Sequence, residues 1–276
     1  MQSLINQLLQ LQELVLILDE HRATGDGSHL TRLQQNVEAM AEGLPIQVKG
    51  FVQRLLKKDP IVMAPMHNGA CAMCGMRLPI SQVQAVKQAK DMQTCPSCAR
   101  ILYEPLDVAR WVGEVHSRSE PRKVGIARFS AASLMIPNLK VTNRNDAILE
   151  LANAMQDARF VDDAGKLVTA ALERENVLST AVENGLAFPH VRGIEGGGLT
   201  LALGTSQKGI KFDDEHTAKI IFFLAIPTAV SAFYLRLVAG LSETFLKAAN
   251  RTSLLAATTQ DQLWKALVRI TRNTVK

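Results

Sequence analysis

The chain has 276 residues, 47% of them hydrophobic and 21% charged, which is a composition for folded domains and excludes intrinsic disorder. Its net charge of +5 permits an acidic or nucleic-acid partner without requiring one. The longest apolar run, "IIFFLAIP" at 220–227, is too short for a membrane helix, and Gln2, Gln7, Gln10, Gln12 and Glu13 break the apolar N-terminus where a signal peptide would be continuous; a cytoplasmic protein with no membrane insertion is expected.

Residues 4–22 carry Leu, Ile and Val at three- and four-residue intervals, which predicts a helix. "TGDGS" at 24–28 reads as a turn, with Ser28 able to cap a second helix. Leu30, Leu33, Val37, Met40 and Leu44 then follow a heptad spacing, which Pro45 interrupts and Val48, Phe51 and Leu55 resume. Residues 1–62 are therefore expected to form an antiparallel helical hairpin, a short coiled coil. No internal repeat is visible.

Periodicity ends in 63–105, where Cys71 and Cys74 are matched by Cys95 and Cys98. Two thiolates three positions apart on a tight turn face one ion, and two such knuckles complete the tetrahedral S₄ shell of a structural Zn²⁺. The shell leaves no open position for water, and none for His67, four residues before Cys71. The surrounding words, "VMAPMHNGACAMCGMRLP" and "TCPSCARILYEP", resemble the C4-type zinc-ribbon family. Asn68, Gly69, Met76, Leu78, Pro79, Arg100, Ile101, Leu102 and Tyr103 carry the likeness, over roughly residues 1–105. The family's helical hairpin is typically much longer than this one. The resemblance implies an adaptor or a nucleic-acid-binding ribbon, for which Arg77, Lys87, Lys90 and Arg100 are the candidate contacts; a solvated ribbon surface is the plainer reading.

"LDVARWVGEVHSRSEPRKVG", within 106–126, reads as a linker. From 127 to 276 short apolar runs alternate with helical patterns, the signature of an α/β domain. Helices are expected at 144–157 (capped by Asn143), 163–175, 231–248 and 259–273, the last with Thr259 and Gln262 in capping-box spacing. Strands are expected at 185–188, 199–204 and 219–226.

One histidine in this half stands out. In "NGLAFPH", Gly185 allows another backbone to approach, and Pro189 fixes the backbone just before His190. A histidine that accepts a phosphoryl group needs few partners, because the protein only has to hold the ring and surround the anionic group with donors. A structural histidine at a strand end is the competing reading. Upstream, "RENVLSTAVENGLAFPH" at 174–190 resembles the fructose/mannitol-type enzyme IIA domains of the sugar phosphotransferase system, including the nitrogen-regulatory branch. Arg174, Glu175, Ser179, Thr180, Asn184, Gly185, Ala187, Pro189 and His190 carry that likeness, and "LALGTSQKGIKFD", "KIIFFLAIP" and "YLRLVAGLS" extend it over about 127–276.

The resemblance implies an enzyme IIA-like mixed sheet flanked by helices. It implies that His190 takes a phosphoryl group from a histidine phosphocarrier protein and passes it to a separate IIB component or regulatory target. Arg174 would offset the phosphoryl charge, Thr180 or Ser179 would donate a hydroxyl, and Asn184 would fix the loop. Two positions depart from the pattern. Tyr234 stands where many members have a second histidine, and Glu183 replaces a usual glycine, placing a negative charge that Arg192 would compensate. A phenol donates a hydrogen bond but does not shuttle protons near neutral pH. The alternative is a zinc-ribbon binding protein whose C-terminal domain has lost phosphoryl chemistry. A metal-dependent hydrolase is excluded, because the six histidines form no ligand pair.

Overall fold

A computed structural model of the chain describes residues 2–24, 30–105, 108–113 and 123–274. Ser28, expected to cap the second helix, most of the turn that it ends, His29 and His116 lie outside the described residues. The chain divides into two compact units, Met1–Leu106 and Asp107–Lys276.

In the first unit α1 (Gln2–Thr24) packs against α2 (Leu30–Glu42), and α3 (Ile46–Leu56) comes next. The heptad run thus becomes two helices. Pro45 ends one and stands as the cap of the next, with φ −54° and ψ 138°, because its ring cannot continue α2. Ile5, Leu8 and Leu11 of α1 meet Val48 and Val52 of α3.

The ribbon adds β1 (Met63–His67), β2 (Ala70–Cys71), α4 (Ile80–Gln88), β3 (Gln93–Thr94) and β4 (Ile101–Tyr103), its strands in the order β2-β1-β4-β3. The ribbon keeps a small core of its own, with Ala64, Met66, Leu78, Val86 and Leu102 around Cys71 and Cys95, and one edge of it packs on the helices. Val62, Met63 and Ile101 join the helical cluster, and Gln12 Oε1 accepts the Val62 and Met63 N–H groups at 2.8 and 2.7 Å.

The second unit contains β5 (Met135–Ile136), α5 (Arg144–Asp157), α6 (Ala164–Val177), β6 (Ala181–Val182), β7 (Leu186–Ala187), β8 (His190–Ile194), β9 (Thr200–Lys211), β10 (Thr217–Pro227), α7 (Ser231–Leu246), α8 (Ala248–Leu255) and α9 (Gln260–Ile270). Side chains cap three of the helices as their residue types dictate. Asn143, Asp163 and Thr259 accept the N–H groups of Asp146, Lys166 and Gln262. The sheet is mixed, in the order β5-β9-β10-β7-β6, with β8 also pairing β10. β10 is buried continuously from Ile220 to Pro227, which explains an apolar run without alternation: both faces of the strand are covered.

Part of the expected linker belongs to this unit. Trp111 N–H donates to Glu195 O (2.7 Å), Glu195 N–H to Ala109 O (3.0 Å) and Val112 N–H to Phe160 O (2.9 Å). Arg110 N–H and Nε donate to the Asp162 carboxylate at 2.7 and 3.1 Å. Ala109–Val112 therefore covers backbone at the end of β8 that would otherwise be left as an open edge. No described helix is long and apolar enough to cross a membrane.

Candidate functional site

Two constellations of candidate functional residues are present, each within one unit. In the ribbon the four cysteine Sγ atoms all lie within 4.8 Å of one another, with Cys71–Cys98 at 3.8 Å and Cys74–Cys95 at 3.6 Å. A tetrahedral S₄ shell with zinc–sulfur bonds of about 2.3 Å has edges of about 3.8 Å. The donor set fits one structural Zn²⁺, and among the described residues no other group of three or more candidate ligands is brought together. Burial pushes the Cys71 thiol up to about 12. For Cys74 burial acts in the same direction, but hydrogen bonds from the Met76 backbone, Cys95 and Ser97 outweigh it and draw the thiol down to about 7. A cation that needs all four sulfurs as thiolates therefore displaces protons on binding and is released as pH falls.

The two knuckles are built alike. Gly75 N–H donates to Cys71 O (2.8 Å) and Ala99 N–H to Cys95 O (2.9 Å), while Cys71 and Cys95 donate to Met76 O and Arg100 O. Both turns need a left-handed residue, and it is Gly75 (φ 74°) in one and Ala99 (φ 60°) in the other. A side chain costs about 1 kcal/mol there. Ala99→Gly is expected to raise the urea midpoint of the zinc-loaded ribbon. Gly75→Ala, where an added Cβ meets nothing within 4 Å, is expected to lower it by a similar amount.

Of the candidate nucleic-acid contacts, Arg100 is already engaged. Its Nε donates to Ile61 O (2.9 Å) and its Nη2 to Asp59 (2.7 Å), joining the second knuckle to the chain after α3. Arg77, Lys87 and Lys90 are exposed.

The second constellation surrounds His190. Asn184 and Gly185, both left-handed at φ 64° and 70°, turn β6 back onto β7. β7 pairs parallel with Ile220–Ile221 of β10, the chain steps through Phe188 and Pro189, and β8 resumes the same pairing with His190 opposite Leu224. His190 therefore opens a strand. Phe188 stacks on Phe222 (5.4 Å between centroids), and Pro189 O accepts the Leu224 N–H (3.0 Å), so the backbone is held on both sides of the proline.

His190 is 1% exposed. Its Nδ1 lies 3.1 Å from Phe188 O and 3.0 Å from Tyr234 Oη. A carbonyl oxygen only accepts, so the Phe188 contact is a hydrogen bond in the tautomer that has its proton on Nδ1 and its lone pair on Nε2. Tyr234, 1% exposed on α7, thus meets the Nδ1 side of the ring. Its hydroxyl holds the imidazole in place.

Arg174 stands in the last turn of α6, which packs against β8. It is 7% exposed and its Nη1 donates to Leu178 O (2.8 Å), which fixes the guanidinium at the helix end. Thr180 does not fit the role of a hydroxyl donor to the phosphoryl group. Its hydroxyl and its N–H (3.1 Å) both go to the buried carboxylate of Glu175, and its carbonyl accepts the Phe188 N–H (3.1 Å). It ties α6 to the histidine segment. Ser179 Oγ accepts the Ala181 N–H (3.3 Å). It also hydrogen-bonds Asp213, whose carboxyl is held below its usual range: burial opposes ionisation, but Ser179 and the Glu215 and His216 N–H groups prevail.

Glu183 is exposed at the hairpin tip beyond Leu186. Leu186 pairs with Ile220 and His190 with Leu224, four positions further along β10, a separation of about 13 Å. The acidic charge therefore lies away from the histidine and needs no compensation by Arg192. Sequence reasoning missed what Arg192 does instead. Its guanidinium carbon sits 4.7 Å from the centroid of the Tyr234 ring. The i, i+2 spacing from His190 was the available signal.

Residues 129–269 match the family described as phosphoenolpyruvate-dependent sugar phosphotransferase system, EIIA 2, and residues 70–102 match the C4-type zinc ribbon domain. The chain is 30% identical over 129 residues to the PTS system fructose-specific EIIA component of Haloferax volcanii, covering 46% of this chain and 84% of that protein. It is 24% identical over 128 residues to the fructose-specific EIIABC component of Bacillus subtilis, covering 46% of this chain and 20% of that protein. Similar solved structures include the nitrogen regulatory protein IIA-Ntr of Neisseria meningitidis (TM-score 0.46, 20% identity, 50% of this chain and 96% of that one). The mannitol IIA of Escherichia coli is another (TM-score 0.39, 16% identity, 50% and 97%).

Proposed function

The chain belongs, through residues 129–269, to the EIIA 2 family of the phosphoenolpyruvate-dependent sugar phosphotransferase system, and on that premise we propose that His190 is its phosphoryl acceptor. The observation that carries the proposal is the state of the ring: Nδ1 is engaged by Phe188 O and Tyr234 Oη, which leaves Nε2 as the nucleophile. The Nε2 lone pair forms a P–N bond as the P–N bond of a phosphorylated histidine phosphocarrier protein breaks, and the donor imidazole keeps that electron pair. Arg174 offsets charge on the phosphoryl oxygens. The group then passes to a separate IIB component, or serves as a signal to a regulatory target, in the cytoplasm. The zinc ribbon acts as the adaptor, binding protein or nucleic acid through the exposed Arg77, Lys87 and Lys90.

A second reading, a scaffold without phosphoryl chemistry, draws on one observation. His190 is 1% exposed, so the site must open before a partner's phosphohistidine reaches Nε2. Incubation with phosphorylated carrier protein separates the two readings. An acid-labile phosphate on this chain supports the relay, and no label supports the scaffold.

Tyr234→Phe removes the hydroxyl that steadies the imidazole but keeps the ring. Transfer is expected to slow roughly tenfold, the scale of one hydrogen bond worth about 1–1.5 kcal/mol. Tyr234→His, which restores the more usual residue, is expected to leave transfer intact or faster. Single-turnover labelling of the two variants checks both.

A further inference from the structure

We propose that Arg192 is a catalytic residue of phosphoryl transfer, a second cation that rests on the Tyr234 ring beforehand and turns onto the phosphoryl oxygens as the bond to His190 forms. The inference rests on the phosphocarrier reading and extends it to a residue just beyond the stretch at 174–190.

Register comes first. His190 and Arg192 pair with Leu224 and Ile226 in the regular part of β8, before the irregularity beyond Ile226. Alternate residues of a strand share a face, so both side chains project to the same side, about 6.6 Å apart at their backbones. An arginine side chain spans that distance.

Contact comes second. The Arg192 guanidinium lies 4.7 Å from the centroid of the Tyr234 ring, and the hydroxyl of that ring is 3.0 Å from His190 Nδ1. The Tyr234 ring therefore touches both the cation and the imidazole.

Charge comes third. A phosphoryl group on histidine carries close to two negative charges, by analogy with other phosphorylated side chains. Arg174 balances one of them. A second arginine closes the balance, and its planar fork suits phosphoryl oxygens in a way that the phenol of Tyr234 does not. A cation–π contact is weak enough to be exchanged for that charged one. Arg192 moves no proton, because a guanidinium does not titrate in this range.

The test uses the full chain, phosphorylated histidine phosphocarrier protein, and the variants Arg192→Gln and Arg192→Lys. Gln is expected to slow single-turnover labelling roughly 10- to 100-fold, the scale of a hydrogen bond to a charged group, and Lys is expected to recover part of the loss. The ³¹P signal of the phosphorylated protein is expected to titrate at higher pH in the Gln variant, because losing a cation disfavours the dianion. A merely structural role would not move that titration. A rate loss with an unmoved titration, or a Gln variant as fast as its parent, would overturn the proposal. A wild-type chain that takes no label would instead overturn the phosphocarrier reading itself.

Discussion

Replacing His190 by glutamine is expected to abolish acid-labile phosphorylation of the chain while the second unit keeps its cooperative unfolding. Glutamine is the informative choice because the site is closed. His190 is 1% exposed, and its Nδ1 engages Phe188 O and Tyr234 Oη. Alanine would leave a cavity and two buried polar groups without their partner, at a cost of about 2–4 kcal/mol, whereas an amide keeps much of the volume and offers a donor. His190→Ala is expected to lose the label as well, with a lower unfolding midpoint. Labelling by phosphorylated carrier beside a urea titration of each variant reads both effects. A glutamine variant that labels as its parent does would remove His190 from the mechanism.

Replacing Cys95 by serine is expected to have the largest structural effect. Serine leaves three thiolates for a cation that requires four, and structural zinc contributes on the order of 10 kcal/mol to the folding of such small domains. Residues 63–105 should lose their protection against hydrogen exchange. Because Val62, Met63 and Ile101 pack with Ile5, Leu8 and Leu11, the loss should spread into α1 and α3. The second unit has its own core of β9, β10 and flanking helices and should unfold at its former midpoint. Hydrogen exchange of the variant, with metal analysis of the parent, checks the expectation. A parent without bound zinc, or a variant with full protection in the ribbon, would contradict it.

How much of this architecture the sequence showed depends on how local the cause is. Asn143 and Thr259 cap α5 and α9 through hydrogen bonds three residues away, so those helix starts could be read directly. The cysteine knuckles are equally local, each a turn closed by its own backbone. β8 was missed because Pro189 interrupts the run and hides that His190 rejoins the same partner strand. α8 was missed: the expected helix at 231–248 stops where α8 starts, and the junction at Lys247 has neither proline nor glycine to mark a new element. In "ARWV" the alternation of Ala109, Arg110 and Trp111 signals a strand, yet it has meaning only once the end of β8 is there to be covered. The same holds in the site. Thr180 reads as a free hydroxyl until the turn after α6 brings Glu175 beneath it, and the contact of Tyr234 with Nδ1 exists only once α7 is in place.

The atom that receives the phosphoryl group tests the account most directly. Phosphorylated protein carrying ¹⁵N-labelled histidine reports through ³¹P–¹⁵N coupling which ring nitrogen, on which residue, is bonded to phosphorus. The hydrogen bonds at Nδ1 predict a single phosphorylated species, bonded at Nε2 of His190. Phosphorus on Nδ1 of that ring, or on any other residue, would contradict it.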